Sequence, residues 1–180
     1  MSKKTIISLG LDLSLVSSGI VILENDKITL KKTIKSKPVG DKPIDELKRI
    51  RKIVEEIEYV ISEYDPTIAV IEGMAFMARN TTALVQLAAL NYFTRALLMD
   101  YRVPFYLCAP TTLKRFATGK GNSEKDHIIL AAYKEYGVDG IDNNVADALF
   151  LSKIGVALAG GKDKLLLYQL ETIELLKKQS

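Results

Sequence analysis

Three short apolar runs open the chain, each ended by turn residues. Residues 5–11, 19–24 and 27–35 carry aliphatic and β-branched side chains in runs or in alternation, and Asn25-Asp26 separates the second from the third. The pattern predicts three strands joined as an antiparallel meander. After a Pro/Gly linker at 37–42 the period changes. Leu47, Ile50, Val54, Ile57 and Ile61 recur every three or four residues, while Glu46, Arg49, Lys52, Glu55 and Glu56 fill the other side. That is an amphipathic helix, begun by Pro43 and stopped at Asp65-Pro66. Residues 68–71 form an unbroken apolar run ending on Glu72, the composition of a central strand covered on both faces. Residues 81–99 read as a second helix, in which Ala83 and Ala89 permit close packing, and residues 104–108 as another strand. Pro110 begins a short helix through Lys114, Gly119 and Gly121 mark a loop, Ser123 caps a helix reaching Tyr136, and residues 143–158 and 165–178 supply two more helices.

This order predicts an α/β fold, a mixed sheet with helices on both faces; an all-helical bundle would leave the opening alternation unexplained. A chain of 180 residues, 48% of them hydrophobic, is long enough for one well-buried core, so a single domain over 1–180 is expected. No segment offers the roughly 18 consecutive apolar residues of a membrane span. The run after Met1-Ser2-Lys3-Lys4 lacks a small-residue cleavage signature, so a cytoplasmic protein with no membrane partner is expected.

Composition narrows the chemistry. Cys108 is the only cysteine, which excludes an intrachain disulfide framework and a cysteine-rich zinc site. His127 is the only histidine, which excludes zinc sites with several histidines, and its surroundings favour a surface or core-edge role. Metal chemistry would run mostly on carboxylates, whose oxygens suit magnesium or manganese. A formal net charge of +3 does not by itself identify a nucleic-acid binder.

Three acids stand at the ends of predicted elements. Asp12 follows the first strand and precedes a small-residue turn, Glu72 closes a separate strand with Gly73 behind it, and Asp147 lies between Ala146 and Ala148 on a helix. Each has an ordinary reading as a turn residue, a strand end or an exposed helix position. Together, in apolar surroundings, they call for a partner, and a divalent cation is one. Two ions about 3.5–4 Å apart can activate water and stabilise the leaving oxygen of a phosphodiester while carboxylates hold them. Asp142 is a candidate fourth acid at a helix start, where an N-cap role competes, with Asp139 a remoter reserve. Lys114, Arg115, Lys120 and Lys125 fall within twelve residues beside a predicted helix start, a setting for phosphate contacts, although loop lysines are ordinarily just solvated.

At these residues the chain resembles the RuvC family of Holliday junction resolvases, within the RNase H-like nucleases, and particularly its phage-type members. Gly10-Leu11-Asp12-Leu13-Ser14 through Gly19 is similar to the family's first motif, and Ile68-Ala69-Val70-Ile71-Glu72 to its second. Ala109-Pro110-Thr111-Thr112-Leu113-Lys114 with residues 118–125, and Asn144-Val145-Ala146-Asp147-Ala148-Leu149, resemble the later motifs. The resemblance implies an RNase H-like mixed five-stranded sheet and a homodimer that cuts four-way and other branched DNA in a bacterial or phage-infected cytoplasm. It implies two Mg2+ or Mn2+ ions per active site. It carries phosphate-facing roles to Lys114 and Lys125, Lys125 also among the catalytic residues with Asp12, Glu72, Asp142 and Asp147, and less directly to Lys120. It makes Phe76 a candidate for the aromatic that stacks at an opened junction step, the alternative being a core aromatic packed beside Met74 or Met77; Arg79 by its position suits either a nearby phosphate or a surface helix cap. Where many members carry an acid or histidine, this chain has Asn144, so Asp142 is favoured as the fourth ligand and Asn144 is an alternative donor through its amide oxygen. Other readings are a nuclease of the same fold acting on flaps, forks or hybrids, and a noncatalytic branched-DNA binder.

Overall fold

The computed structural model describes residues 5–74, 81–161 and 165–178. Its strands are β1 (Ile7–Asp12), β2 (Ser17–Glu24), β3 (Lys27–Lys35), β4 (Ile68–Glu72) and β5 (Phe105–Cys108). Its helices are α1 (Pro43–Tyr64), α2 (Thr81–Asp100), α3 (Pro110–Thr118), α4 (Lys125–Tyr136), α5 (Asn143–Leu158) and α6 (Leu167–Lys177). The sheet order is β3-β2-β1-β4-β5. The meander forms as expected, β1, β2 and β3 pairing antiparallel, with Asn25 at φ 56° making the tight turn that its sequence predicts. β4 and β5 then add parallel to β1, because α1 and α2 each carry the chain back across the sheet.

Alternation on the strands divides the core in two. Leu9, Leu11, Ala69 and Ile71 pack under Ile50, Ile53, Ile57 and Ile61 of α1 and Leu90, Leu97 and Leu98 of α2. On the opposite face Val21, Leu23 and Val70 meet Leu149, Phe150 and Ile154 of α5, with α3, α4 and α6 outside it. β4 is thus covered on both sides, as its unbroken apolar run requires. From Val145 to Ala157 only Asp147 escapes full burial, the profile of a helix apolar all round and enclosed by the rest of the molecule.

α5 lies directly on the strand backbones. A Cβ at Gly10 would stand 1.9 Å from the Ala148 carbonyl oxygen, and one at Gly19 2.0 Å from that of Asn144. One step further along β1, the Ser8 hydroxyl donates to the Ser152 carbonyl and the Ser152 hydroxyl donates to the Ser8 carbonyl, both at 2.7 Å and buried. Along β1, two residues of strand (about 6.8 Å) match four residues of helix (about 6 Å), so this register holds from Ser152 to Ala148 and points the next turn of α5 at Asp12.

Several boundaries differ from the sequence reading. β1 runs on through Asp12 and β2 begins at Ser17, which shortens the turn between them. α3 continues past Lys114 to Thr118 because Gly119, at φ 83°, supplies the left-handed residue that ends it. Ser123 does not cap α4: Glu124 holds that position without a side-chain cap, and Ser123 is buried, donating to the Lys120 carbonyl at 2.9 Å to close the α3–α4 loop. Finally α6 docks on α3, with the Gln169 side-chain amide donating to the Phe116 carbonyl at 3.1 Å. Among the described residues no helix is long and apolar enough to cross a membrane.

Candidate active site

Asp12 and Glu72 end adjacent parallel strands. Leu11 pairs with Ile71, so the two acids stand one inter-strand spacing apart, about 4.8 Å, on the face that α5 covers. On the other side Asp12 pairs with Gly19, whose missing side chain admits the first turn of α5. That turn delivers Asp147 to the same end of the sheet. The three acids singled out in the sequence are therefore gathered by three separate elements.

Their electrostatics show how closely they interact. Burial, followed by the charge of Glu72 and a hydrogen bond to it, pushes the Asp12 carboxyl up to about 8; Lys125 opposes the shift and Asp142 adds to it. Burial, then the charge of Asp12, pushes Asp147 up to about 7 against the opposing ammonium groups of Lys125 and Lys114. Glu72 is also raised, first by burial and then by Asp147, while its bond from Asp12 and the charges of Lys125 and Lys114 hold it down. The bond raises Asp12 and lowers Glu72, as expected where Asp12 is the donor, with Asp147 in the same field. Cys108, opposite Glu72 on β5, is pushed up to about 12 by burial and by that carboxylate, so its thiol stays protonated.

Asp142 caps α5. One carboxylate oxygen accepts from the Val145 backbone N–H at 2.8 Å and the other from the Thr33 hydroxyl of β3 at 2.9 Å. The competing cap role is thus filled, and Asp142 also contributes to the field on Asp12. Asn144 places its backbone carbonyl against Gly19. Lys114 acts on the acid centre from the middle of α3 and Lys125 from the start of α4, whereas Lys120 is exposed on the loop between these helices. Arg115 is drawn away into an ion pair with Glu171 of α6, and His127 is exposed on α4. Phe76 and Arg79 lie outside the described residues.

The donor set fits hard divalent cations: the carboxylates are buried, mutually repelling and supplied only with oxygen atoms, and a cation at their centre would replace the proton that Asp12 now holds. Among the described residues no three such side chains are already closed into a metal cage. The arrangement is an Asp12–Glu72 pair with Asp147 in electrostatic reach. Sequence reasoning missed Thr33 and the Ser8–Ser152 lock. A serine inside an otherwise apolar strand, and another in the middle of an apolar helix, were the available signals for the lock; Thr33 gave none, since it is ordinary on an edge strand.

A family model described as Crossover junction endodeoxyribonuclease RuvC matches residues 8–152. The curated RuvC of Chlorobium chlorochromatii is 30% identical over 112 residues, 61% of this chain and 55% of that protein, so the match spans little more than half of that relative. The RuvC of Rickettsia felis is 31% identical over 124 residues, 68% of this chain and 78% of that protein. Among solved structures, Thermus thermophilus RuvC superposes with a TM-score of 0.70 at 17% identity, over 86% of this chain and 93% of that one. The same enzyme in complex with Holliday junction substrate gives 0.70 at 16% identity, over 86% and 92%. These two structures share the mixed five-stranded α/β fold, and the model match runs from β1 into α5 across every acid of the candidate site. The chain belongs to the RuvC family of crossover junction endodeoxyribonucleases.

Proposed function

We propose that this protein is a Mg2+- or Mn2+-dependent endonuclease that hydrolyses phosphodiesters in Holliday junctions and related branched DNA. The observation that carries the reading is the convergence of Asp12, Glu72 and Asp147 from β1, β4 and α5 on one buried, lysine-flanked centre. Asp12, Glu72 and Asp147 would hold the ions, with Asp142 the fourth acid or Asn144 a neutral oxygen donor in its place. Bound there, two divalent ions supply an activated water and a stabilised leaving oxygen.

The chain's own residues do the rest. The carboxylates cluster at the C-terminal ends of β1 and β4, Asp12 buried and Glu72 and Asp147 half-buried, with α5 packed on the strand backbones beside them. Lys125 and Lys114 oppose the upward shift of Asp147 and Glu72 and offer ammonium groups to the phosphate being cut. Lys120 extends that contact along the α3–α4 loop, and Phe76 and Arg79, after β4, are assigned to the junction bases and a neighbouring phosphate. Val85, Tyr92, Phe93 and Met99 are exposed on α2, which supports a homodimer that presents one site to each of two DNA strands.

Purified protein should cleave four-way junctions only with Mg2+ or Mn2+ added, and faster than forks, duplexes or hybrids. D12N, E72Q and D147N should each lower the rate by more than the roughly 10–100-fold that changes behind a metal ligand cost, with folding retained. Equal rates on all substrates would leave a nuclease without junction specificity; tight junction binding with no metal-dependent cleavage would make the protein a binder instead.

A further inference from the structure

The edge strand β3 carries a row of lysines that the site described above does not use. A register shift between Ile22 and Leu23 sets which way they face. Beyond it, Leu30 and Ile34 pack toward α1 and Lys32 pairs with Glu56 of α1 at 2.6 Å, whereas Thr33 turns to the other face and bonds Asp142. Lys31 and Lys35 alternate with these residues and therefore share the face of Thr33, that of the acid centre. Both are exposed, and among the described residues neither meets a carboxylate at ion-pair distance.

Strand register places them relative to the acids. Asp12 pairs with Gly19, and Gly19 with Thr33, so this row crosses the sheet in two inter-strand spacings, about 10 Å. β3 runs parallel to β1, so Lys35, paired with Ser17, extends one step beyond the row, past the C-terminal end of β1. Lys31, paired with Val21, lies one step behind it. Lys114 enters from α3, which follows β5 at the opposite edge. The acid centre is therefore bracketed by cations on both edges of a sheet about 19 Å wide from β3 to β5.

We infer that β3 is a phosphate-contacting rail, with Lys31 and Lys35 gripping the DNA backbone on the side of the acid centre opposite Lys114. The partner is a nucleic-acid strand held through its phosphates, so the contact carries orientation and no base preference. The inference rests on the nuclease reading for its substrate. A competing account is that lysines on an edge strand only prevent edge-to-edge pairing. Lys27, exposed on the same strand at its far end, separates the two: it shares the edge and lies away from the site.

The experiment compares wild type, K31T/K35T, K31R/K35R and K27T, threonine being chosen because it favours strands. Junction cleavage is followed from 50 to 200 mM salt, reading KM and kcat separately. In K31T/K35T, KM should rise several-fold while kcat holds, and the slope of log KM against log salt should become shallower by about 1.8, or about 0.9 for each lost phosphate contact. K31R/K35R and K27T should keep the wild-type slope. A wild-type slope in K31T/K35T overturns the rail, as does an equal loss in K27T. An inactive wild type sinks the nuclease reading alone, and the rail is then read from junction-binding titrations of the same proteins by fluorescence anisotropy, where an unchanged slope, or no binding by wild type, overturns it.

Discussion

Asp12 holds a proton at neutral pH in the metal-free protein because three causes act together: burial, the charge of Glu72 and the bond to it. Its folded pKa lies above its unfolded value, so between about pH 4 and 8 the native state retains a proton that the unfolded chain has released. Stability is then fully present below that window and lost as pH rises through it, at about 1.4 kcal/mol per pH unit for each such group, Asp147 contributing up to about 7. Thermal melts in chelator should show Tm falling from pH 5 to pH 8, with Mg2+ or Mn2+ reversing the fall; a Tm that rises over this range would contradict the arrangement. Asp142 makes a second test at this scale. Asn caps helices as well as Asp, so D142N should keep wild-type stability and D142A should lose about 1 kcal/mol. If Asp142 is also the fourth ligand, D142N loses cleavage in spite of normal melting, and full activity in D142N reduces the residue to a cap. The acids themselves were legible in the sequence as residues ending apolar runs. Their shared proton was not, because a carboxyl responds to neighbours that are distant along the chain.

Among the elements, α5 decides whether the site assembles. It was legible as a helix over 143–158, but its apolar residues encircle it, so no stripe says which side meets the sheet. Seating comes from Gly10 and Gly19, where the helix backbone occupies the space of a side chain, and from the reciprocal Ser8–Ser152 bonds. G10A should cost at least the 1–3 kcal/mol typical of overpacking, since its methyl group would meet a carbonyl oxygen and not a side chain able to move. S152A removes the hydroxyl to which the Leu23 backbone N–H donates at 3.2 Å, along with the one that donates to Ser8, and should cost about 1–3 kcal/mol in chemical denaturation. Melting of S152A indistinguishable from wild type would show that the lock does not hold α5. The Ser123 cap failed as an expectation for a related reason: its hydroxyl is taken by the loop that Gly119 turns back on itself.

At the scale of the whole molecule, the proposed homodimer is tested at α2. Val85 and Tyr92 are each 65% exposed on α2, and Phe93, 51% exposed, lines a cleft with Ile44 and Leu47 of α1. Y92E/F93E should shift the wild type from dimer to monomer in sedimentation equilibrium, with the Tm of the protomer little changed. A wild type monomeric at all concentrations would remove the dimer from the proposal. At this scale the sequence by itself determined the element order, the meander, the double-covered β4 and the identity of the acids, because periodicity and turn chemistry are local and act within a few residues. Only the tertiary structure decided that Asp12, Glu72 and Asp147 share one electrostatic site, that Asp142 is tied to Thr33, and that Lys31 and Lys35 flank the same end of the sheet. Those facts depend on strand order, set by pairings such as Ser8 with Ile68, and on the depth to which α5 settles, set by contacts such as Ser8 with Ser152; both join residues far apart along the chain.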